Sequence, residues 1–163
     1  ASLTEFSLDE QLRQVILRLE PTWSARGISW QLDLNSVTVV SDEELLSHVW
    51  MNIIQNAIKF SPENAVIEVR VFATDTATVE ITDHGIGMDV KRIFDRFYQA
   101  DRSRKQEGVG LGLCLVKRIL DMLGGTVSVD SRPGEGSTFR IHVPFRPKYD
   151  EAAHTGEREG KSP

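Results

Sequence analysis

The sequence has little cysteine, no long apolar run and no excess of basic residues, and each shortage excludes a class of protein. Cys114 is the only cysteine among 163 residues, so no intrachain disulfide can form, as is usual in a reducing cytoplasm. No stretch of 18 apolar residues and no signal peptide occur, so we expect no direct membrane contact. The formal net charge of -5 argues against nucleic-acid binding, which needs a basic surface.

The length and composition indicate one folded domain followed by a tail. A chain of this size suits a single core, which we place at residues 1–147. The segment 148–163 is polar and has no apolar periodicity, so we expect a disordered C-terminal tail. The chain opens on Ala1 instead of methionine, which we interpret as the start of a fragment.

Hydrophobic periodicity predicts an α+β fold. Apolar residues recur at helical spacing in 7–26, in a helix that ends at Phe60, and from Leu111 to Leu123. Ser41 and Glu44 have the spacing of a capping box and would open the second helix. Strand patterns occur at 28–34, 37–40, 65–73, 76–83, 126–131 and 137–145. This order predicts a two-layer α/β sandwich, with helices on one face of a mixed, mainly antiparallel sheet.

The helix that ends at Phe60 carries a polar stripe opposite its apolar face. His48, Asn52, Asn56 and Lys59 are spaced by four, four and three residues, which places them on one side. Asparagine is a poor residue in the middle of a helix, because its amide competes for backbone hydrogen bonds. The stripe is either a tolerated polar face or a set of groups that face an anion and its metal, since a carboxamide oxygen suits Mg²⁺ and a lysine suits phosphate.

Glycines gather around two further segments. Asp83 ends a strand and is followed by Gly85 and Gly87, which is typical either of a simple turn or of a pocket where the backbone approaches a flat ring. Gly108, Gly110 and Gly112 lead into a helix, where free N–H groups can bind phosphate. Neither the Walker pattern nor the dinucleotide pattern of glycines occurs. Nine of the 12 glycines fall between Gly85 and Gly136, which favours one pocket over scattered turns.

These segments together resemble the ordered motifs of the sensor histidine kinases, over about residues 30–145. The stretch from Asn52 to Ser61 resembles their asparagine box, and 83–88 resembles their first glycine box. Residues 93–98 resemble the phenylalanine box, 108–113 the second glycine box and 134–139 the closing glycine-threonine segment. The order of five motifs is far more specific than any one of them.

The resemblance implies the ATP-binding fold shared with DNA gyrase, MutL and the large heat-shock chaperone, with residues 96–111 as a mobile ATP lid. Asp83 would bind the adenine amine, Asn56 would ligate Mg²⁺, and Lys59 would meet the phosphates. Asn52, Asn56 and Lys59 would be the catalytic residues. The remaining nucleotide-binding residues implied by the resemblance are Gly85, Gly87, Met88, Phe97, Gly108, Val109, Gly110, Leu111, Gly112, Leu113 and Thr138.

The resemblance also implies partners. The γ-phosphate would pass to a histidine on a separate dimerisation domain of the same full-length chain, and later to an aspartate on a response regulator. The full-length protein would be a homodimer and a membrane-anchored sensor, with this portion in the cytoplasm. No H-[ED]-x-x-x-P segment occurs around any of the four histidines, so we expect the acceptor histidine outside this sequence.

The sequence departs from the family pattern in the lid. Gln99 stands where the family often has arginine, which leaves Arg96, Arg102 and Arg104 as candidates for the γ-phosphate. The stretch between Met88 and Ile93 is also shorter than usual. Two alternatives therefore stay open: a degenerate module that binds nucleotide without kinase activity, and a related ATPase or protein-serine kinase. The Asn56, Asp83 and glycine set favours the histidine kinase.

Overall fold

The structure is a computed structural model that describes residues 2–87 and 109–147. Its helices are α1 (Leu8–Arg18), α2 (Glu20–Ala25), α3 (Glu43–Phe60) and α4 (Val109–Leu123). Its strands are β1 (Thr4–Ser7), β2 (Ser29–Leu34), β3 (Thr38–Ser41), β4 (Val66–Ala73), β5 (Ala77–Asp83), β6 (Thr126–Arg132) and β7 (Gly136–Val143).

The main sheet has five strands in the order β2-β4-β5-β7-β6. The edge strand β2 runs parallel to β4, and the other three pairings are antiparallel. Strands β1 and β3 form a separate antiparallel pair. Helices α3 and α4 pack against each other and against the sheet. The α+β sandwich with a mixed, mainly antiparallel sheet is therefore confirmed.

One face of the sheet builds the core and the other carries charge. The core-facing residues of the three central strands are buried; they are Ile67, Val69, Val71, Ala77, Val79, Ile81, Phe139, Ile141 and Val143. On the opposite face, Glu80 is held between two arginines, 2.8 Å from Arg70 and 2.5 Å from Arg140. Arg70 also lies 3.7 Å from Asp33, so an ion-pair ladder crosses four strands.

The N-terminal segment differs from the predicted single helix over 7–26. Helix α1 ends at Arg18, and α2 restarts at Glu20 with Pro21 in its first turn. Proline lacks an N–H and is tolerated only in the first turn of a helix, so the helix is interrupted there and a new one begins. Strand β1 was not predicted, because its four residues show no alternation and pair only with β3.

The start of α3 also differs from the prediction, and the capping box of Ser41 and Glu44 is wrong. The N-cap is Asp42, whose side chain accepts a hydrogen bond of 2.9 Å from the N–H of Leu45. Ser41 is the last residue of β3 and its buried hydroxyl has no hydrogen-bond partner in the described part of the chain. The chain therefore leaves the strand one residue later than the sequence pattern indicates.

The remaining elements lie within two residues of their predicted bounds. Helix α4 begins at Val109, two residues before its predicted start, and so takes in the last three residues of the predicted lid. Within residues 2–87 and 109–147, no helix combines the length and the apolar character needed to cross a membrane. The predicted tail at 148–163 lies outside the described residues and stays a prediction.

Candidate functional site

Asn56 lies about one turn before the C-terminal end of α3 and is the buried member of the polar stripe. Its side chain is only 7% exposed, because Ala57 and Ile53 next to it on the helix belong to the core. Its Nδ2 is buried without a hydrogen-bond partner in the described part of the chain. A buried donor left unpaired costs about 1–3 kcal/mol. The Nδ2 of Asn56 is therefore available to a water or a ligand that enters the site.

The other members of the stripe are more exposed and differ in their contacts. Asn52 donates from Nδ2 to the carbonyl oxygen of His48 at 2.8 Å, which leaves Oδ1 as its free polar atom. A Cβ added at Gly112 would lie 3.0 Å from that Oδ1, so Asn52 faces the first turns of α4. Lys59 is exposed, with its ammonium 5.5 Å from the ring centre of Phe60.

Asp83 ends β5 and is 6% exposed. Burial raises the pKa of its carboxyl, and hydrogen bonds from the backbone of Gly85 and Ser137, with the nearby His84, only partly oppose this rise. The N–H of Gly85 donates to Oδ1 at 2.9 Å. Because one N–H fixes one oxygen, the carboxylate is held in one orientation and can accept a donor from a ligand.

A small cavity brings Asn56 and Asp83 together from α3 and β5. Its walls are Asn56, Ala57, Phe60, Asp83, Ile86, Gly87, Ser137 and Phe139. The cavity measures about 10 Å³, which is close to the least space that a single water occupies. A flat base could enter only if the walls moved, and Ile86, at 61% exposure, is the most exposed of the wall residues.

Three glycines let backbone segments meet behind this cavity. A Cβ at Gly85 would collide with the carbonyl of Phe60, one at Gly87 with the carbonyl of Arg132, and one at Gly136 with the carbonyl of Asp83. Gly134 donates its N–H to Ile86 at 2.5 Å. The loop 84–87 is thus clamped between the end of α3 and the turn that joins β6 to β7.

Thr138 does not line this cavity. Its hydroxyl lies 3.0 Å from that of Thr82 on the open face of the sheet, whereas the neighbouring Ser137 faces the cavity and forms a backbone hydrogen bond with Asp83. The alternation of side chains along β7 determines which of the two hydroxyl residues faces the cavity. Ser137 is on the same side of the strand as the core residues Phe139 and Ile141, and Thr138 is on the opposite side.

The second glycine segment is described only in part. Gly112 faces Asn52, and Leu113 is a core residue at 2% exposure. Val109, Gly110 and Leu111 form the first turn of α4. Six further predicted site residues lie outside the described part of the chain; they are Met88, Arg96, Phe97, Arg102, Arg104 and Gly108.

The donor set around Asn56 fits a magnesium ion that is shared with a ligand. In the described ranges, no group of three or more histidine, cysteine, aspartate or glutamate side chains could hold a metal. Mg²⁺ binds hard oxygen atoms and usually takes most of its ligands from substrate phosphates and water. The carboxamide oxygen of Asn56 is a hard oxygen donor that would supply the protein's share of such a site.

Comparison with known proteins gives the family. The profile of the "Histidine kinase-, DNA gyrase B-, and HSP90-like ATPase" family matches residues 41–147. The chain belongs to this family. The match begins at the last residue of β3 and covers α3, the cavity and α4, so it includes every described element that forms the site.

The relatives of this ATPase domain are sensor kinases. Adaptive-response sensory kinase SasA of Prochlorococcus marinus is 35% identical over 86% of this chain and 39% of that protein. Sensor-like histidine kinase SenX3 of Mycolicibacterium smegmatis is 38% identical over 74% of this chain and 33% of that protein. The chain therefore spans less than half the length of these relatives.

Solved structures agree with the fold. The catalytic domain of histidine kinase ThkA superposes with a TM-score of 0.80 at 25% identity, over 91% of this chain and 99% of that chain. Full-length ShkA in complex with AMPPNP superposes with a TM-score of 0.74 at 29% identity, over 88% of this chain and 31% of that chain. ThkA in complex with the response regulator protein TrrA superposes with a TM-score of 0.73 at 25% identity, over 87% of this chain and 41% of that chain. The domain is thus a histidine kinase-type ATPase domain, homologous to those of sensor kinases.

Proposed function

We propose that this domain binds Mg-ATP and transfers the γ-phosphate to a histidine on a separate dimerisation domain. The observation that carries the proposal is the shared cavity of Asn56 and Asp83, which pairs an orphaned amide with a fixed buried carboxylate. The complex of ShkA with AMPPNP, an ATP analogue, supports a nucleotide as the ligand.

The base end of the nucleotide would lie at Asp83. A carboxylate accepts hydrogen bonds only, so its free lone pairs select a donor such as the exocyclic amine of adenine. Gly85 and Gly87 bring backbone close to the cavity and would let it pack against a flat ring.

The phosphate end would lie further along α3 towards its N-terminus. Asn56 borders the base cavity, and Asn52 faces Gly112 one turn away, near the N-terminal end of α4. A helix N-terminus favours an anion through its free N–H groups and dipole. Mg²⁺, when bound, would neutralise phosphate charge, with Asn56 as its protein ligand. Lys59 lies three residues beyond Asn56 on the C-terminal side of α3, so its long side chain would have to extend back along the helix to meet the phosphates.

The transfer itself would need little from the protein beyond position. A neutral imidazole nitrogen forms the N–P bond, the bond between Pγ and the bridging oxygen breaks, and ADP leaves with the electron pair. The imidazole then loses its N–H proton to solvent. The response regulator would take the phosphate in a later step, and the complex of ThkA with TrrA supports such a partner.

The test combines binding with transfer. Calorimetric titration with ADP and Mg²⁺ should give a dissociation constant between µM and mM, or roughly -8 to -4 kcal/mol. With γ-labelled ATP, the wild-type chain should label a histidine-bearing dimerisation domain supplied in trans, and Asn56→Ala should abolish this labelling. Lys117→Ala, on an exposed position of α4, is the control. Nucleotide binding without labelling of any such domain would instead indicate a module that lacks kinase activity.

A further inference from the structure

A second and much larger cavity lies between α1 and α3, outside the candidate nucleotide site. It is a groove of about 720 Å³. The lining residues come from the end of β1, one side of α1 and the first half of α3; they are Phe6, Ser7, Glu10, Gln11, Gln14, Val15, Arg18, Glu43, Glu44, Ser47, His48 and Met51. We call it the α1–α3 groove.

Hydrogen bonds of one buried side chain hold together the two helices that form the groove. Gln11, at 8% exposure, donates from Nε2 to the carbonyl of Glu43 at 2.7 Å. Its Oε1 accepts from Nε1 of the fully buried Trp50, also at 2.7 Å. One carboxamide therefore ties α1 to two turns of α3. Because the two walls are joined in this way, the groove is preformed and a partner need not open it.

The position of the groove along α3 relates it to the candidate nucleotide site. Asn56 borders the base cavity, Asn52 faces Gly112, and His48 lines the groove. At 1.5 Å per residue, the eight residues from Asn56 to His48 span about 12 Å. The order along one helix is thus base, phosphates, groove. A molecule seated in the groove lies beside the end of the nucleotide where the γ-phosphate would be.

The lining favours a helix of another protein over a small molecule. The apolar part is made by Phe6, Met51 and the 1% exposed Val15, and polar side chains of α1 and α3 border it, among them the exposed Glu10, Gln14, Glu44 and His48. Glu10 is paired with Arg13 at 3.3 Å, so the acidic excess in the lining comes from Glu43 and Glu44, against the single lining arginine Arg18. A groove with an apolar floor and charged walls is the usual seat of an amphipathic helix, and the acidic excess selects one with basic flanks.

We propose that the α1–α3 groove docks the helix that carries the acceptor histidine, through apolar residues and basic flanks of that helix. This inference rests on the proposed kinase function and adds the surface that would bring the acceptor to the γ-phosphate. It predicts that the groove sets the affinity for the acceptor domain and leaves nucleotide affinity unchanged.

A groove-filling variant with a matched control tests this. Ser47 is half-buried in the groove wall, so Ser47→Trp fills the groove, whereas Ser24→Trp places the same ring on the exposed side of α2. The probe is a purified histidine-bearing dimerisation domain that the wild-type chain labels. Ser47→Trp should raise the KM for this domain at least about tenfold, as blocking a central interface position does. ADP affinity should change less than about twofold, and Ser24→Trp should match the wild type in both.

A charge variant gives a second readout that misfolding would not mimic. Glu43→Gln/Glu44→Gln should raise the KM for the acceptor domain and weaken its dependence on salt, because screened attraction across the rim is lost. Asp75→Asn, in the exposed turn between β4 and β5, should leave the salt dependence as in the wild type.

Photo-crosslinking from position 47 identifies the occupant directly. A benzophenone side chain there should form its adduct with the histidine-bearing helix. An adduct with a second copy of this chain or with a receiver domain overturns the proposal, as does an unchanged KM in Ser47→Trp. If the wild-type chain binds ADP but labels no dimerisation domain, the proposed kinase function itself fails, which is a separate result.

Discussion

Asp83 combines burial with a fixed orientation, and at the scale of the residue this makes nucleotide affinity depend on pH. Burial raises the pKa of its carboxyl, so protonation begins at a higher pH than for an exposed aspartate. Only the ionised form accepts hydrogen bonds at both oxygens, because protonation turns one of them into an O–H donor that cannot accept from an adenine amine in the same way. ADP affinity should therefore fall as the pH falls through this raised pKa, and ADP binding should release protons in that range.

The substitution Asp83→Asn tests the same carboxylate. It presents a donor where an acceptor is needed, so ADP affinity should drop by about 1–3 kcal/mol, or roughly 5- to 150-fold. The pH dependence should disappear as well. Calorimetric titrations of both proteins between pH 4 and 8, each corrected for buffer ionisation, measure these effects. Equal affinity of the two proteins at neutral pH would remove Asp83 from the base pocket.

Residue types alone predicted much of this site, but not all of it. Asn56 stands out in the sequence because an amide is a poor residue in the middle of a helix, and Asp83 because it is a carboxylate at a strand end followed by two glycines. The structure brings these two together. Thr138 and Ser137 are adjacent hydroxyl residues, so residue type cannot separate them. Only the face of β7 does so, and that follows from Phe139 and Ile141.

At the scale of the element, the cap of α3 gives a prediction with an internal control. Asp42→Ala removes the acceptor for the N–H of Leu45 and should lower the free energy of unfolding by about 0.5–2 kcal/mol. Ser41→Ala removes a buried hydroxyl that has no described partner and should be neutral or stabilising. Urea denaturation of the three proteins compares them. A larger loss of unfolding free energy in Ser41→Ala than in Asp42→Ala would show that Ser41 is the N-cap, as the capping-box pattern predicted.

The same cap has a predictable pH dependence. Burial alone would raise the pKa of Asp42, but hydrogen bonds from the backbone of Leu45 and Ser2 lower it overall. A lowered pKa in the folded state stabilises the fold above the unfolded pKa of about 3.9, and this stability is lost as the pH falls through the folded pKa. The gap between the wild type and Asp42→Ala should therefore narrow below about pH 4.

The ends of the helices and strands could be predicted where a single residue determines the local backbone, and could not where long-range pairing between strands determines it. Pro21 is a sufficient local reason to break the predicted helix, so that division was readable from the sequence. Strand β1 was not, since its residues gain strand structure only from register with β3, more than thirty positions away. Asp42 and Ser41 are both good caps, and only the end of β3 decides between them.

At the scale of the whole molecule, the turn between β6 and β7 supports the base cavity from behind. Substitutions at Gly134 and Gly136 distinguish the cost of a strained backbone from the cost of a steric collision. Gly134 and Gly136 have φ of +81° and +85°, so alanine at either costs about 1–2 kcal/mol in strain. A Cβ at Gly134 meets nothing within 4 Å, whereas one at Gly136 collides with the carbonyl of Asp83. Gly136→Ala should therefore lose more stability than Gly134→Ala, and it alone should weaken ADP binding. Equal ADP affinity in the two variants would show that the turn does not support the cavity.

The choice between kinase and ATPase also belongs to the whole molecule, because it depends on what can reach the γ-phosphate. Asn52 lies one turn before Asn56 and faces Gly112 at the proposed phosphate end of the site. Its amide cannot accept a proton near neutral pH, and its Nδ2 is already used on His48. General-base help is worth about 10²–10⁴-fold in rate, so the isolated chain should hydrolyse ATP far more slowly than once per second.

Two variants of Asn52 test whether slow ATP hydrolysis is due to the lack of a general base at this position or to the lack of the acceptor domain. Asn52→Glu adds a carboxylate near the γ-phosphate and should raise steady-state ATP hydrolysis at least about tenfold, whereas Asn52→Gln keeps the length and the neutral amide and should not. Labelling of the acceptor domain by Asn52→Glu should fall as water competes with the imidazole for the γ-phosphate. A coupled ADP-release assay, run beside the labelling assay, measures both rates. Hydrolysis by the wild-type chain at several turnovers per second would contradict the proposed transfer and favour an ATPase, because Asn52 would then not limit the reactivity of water.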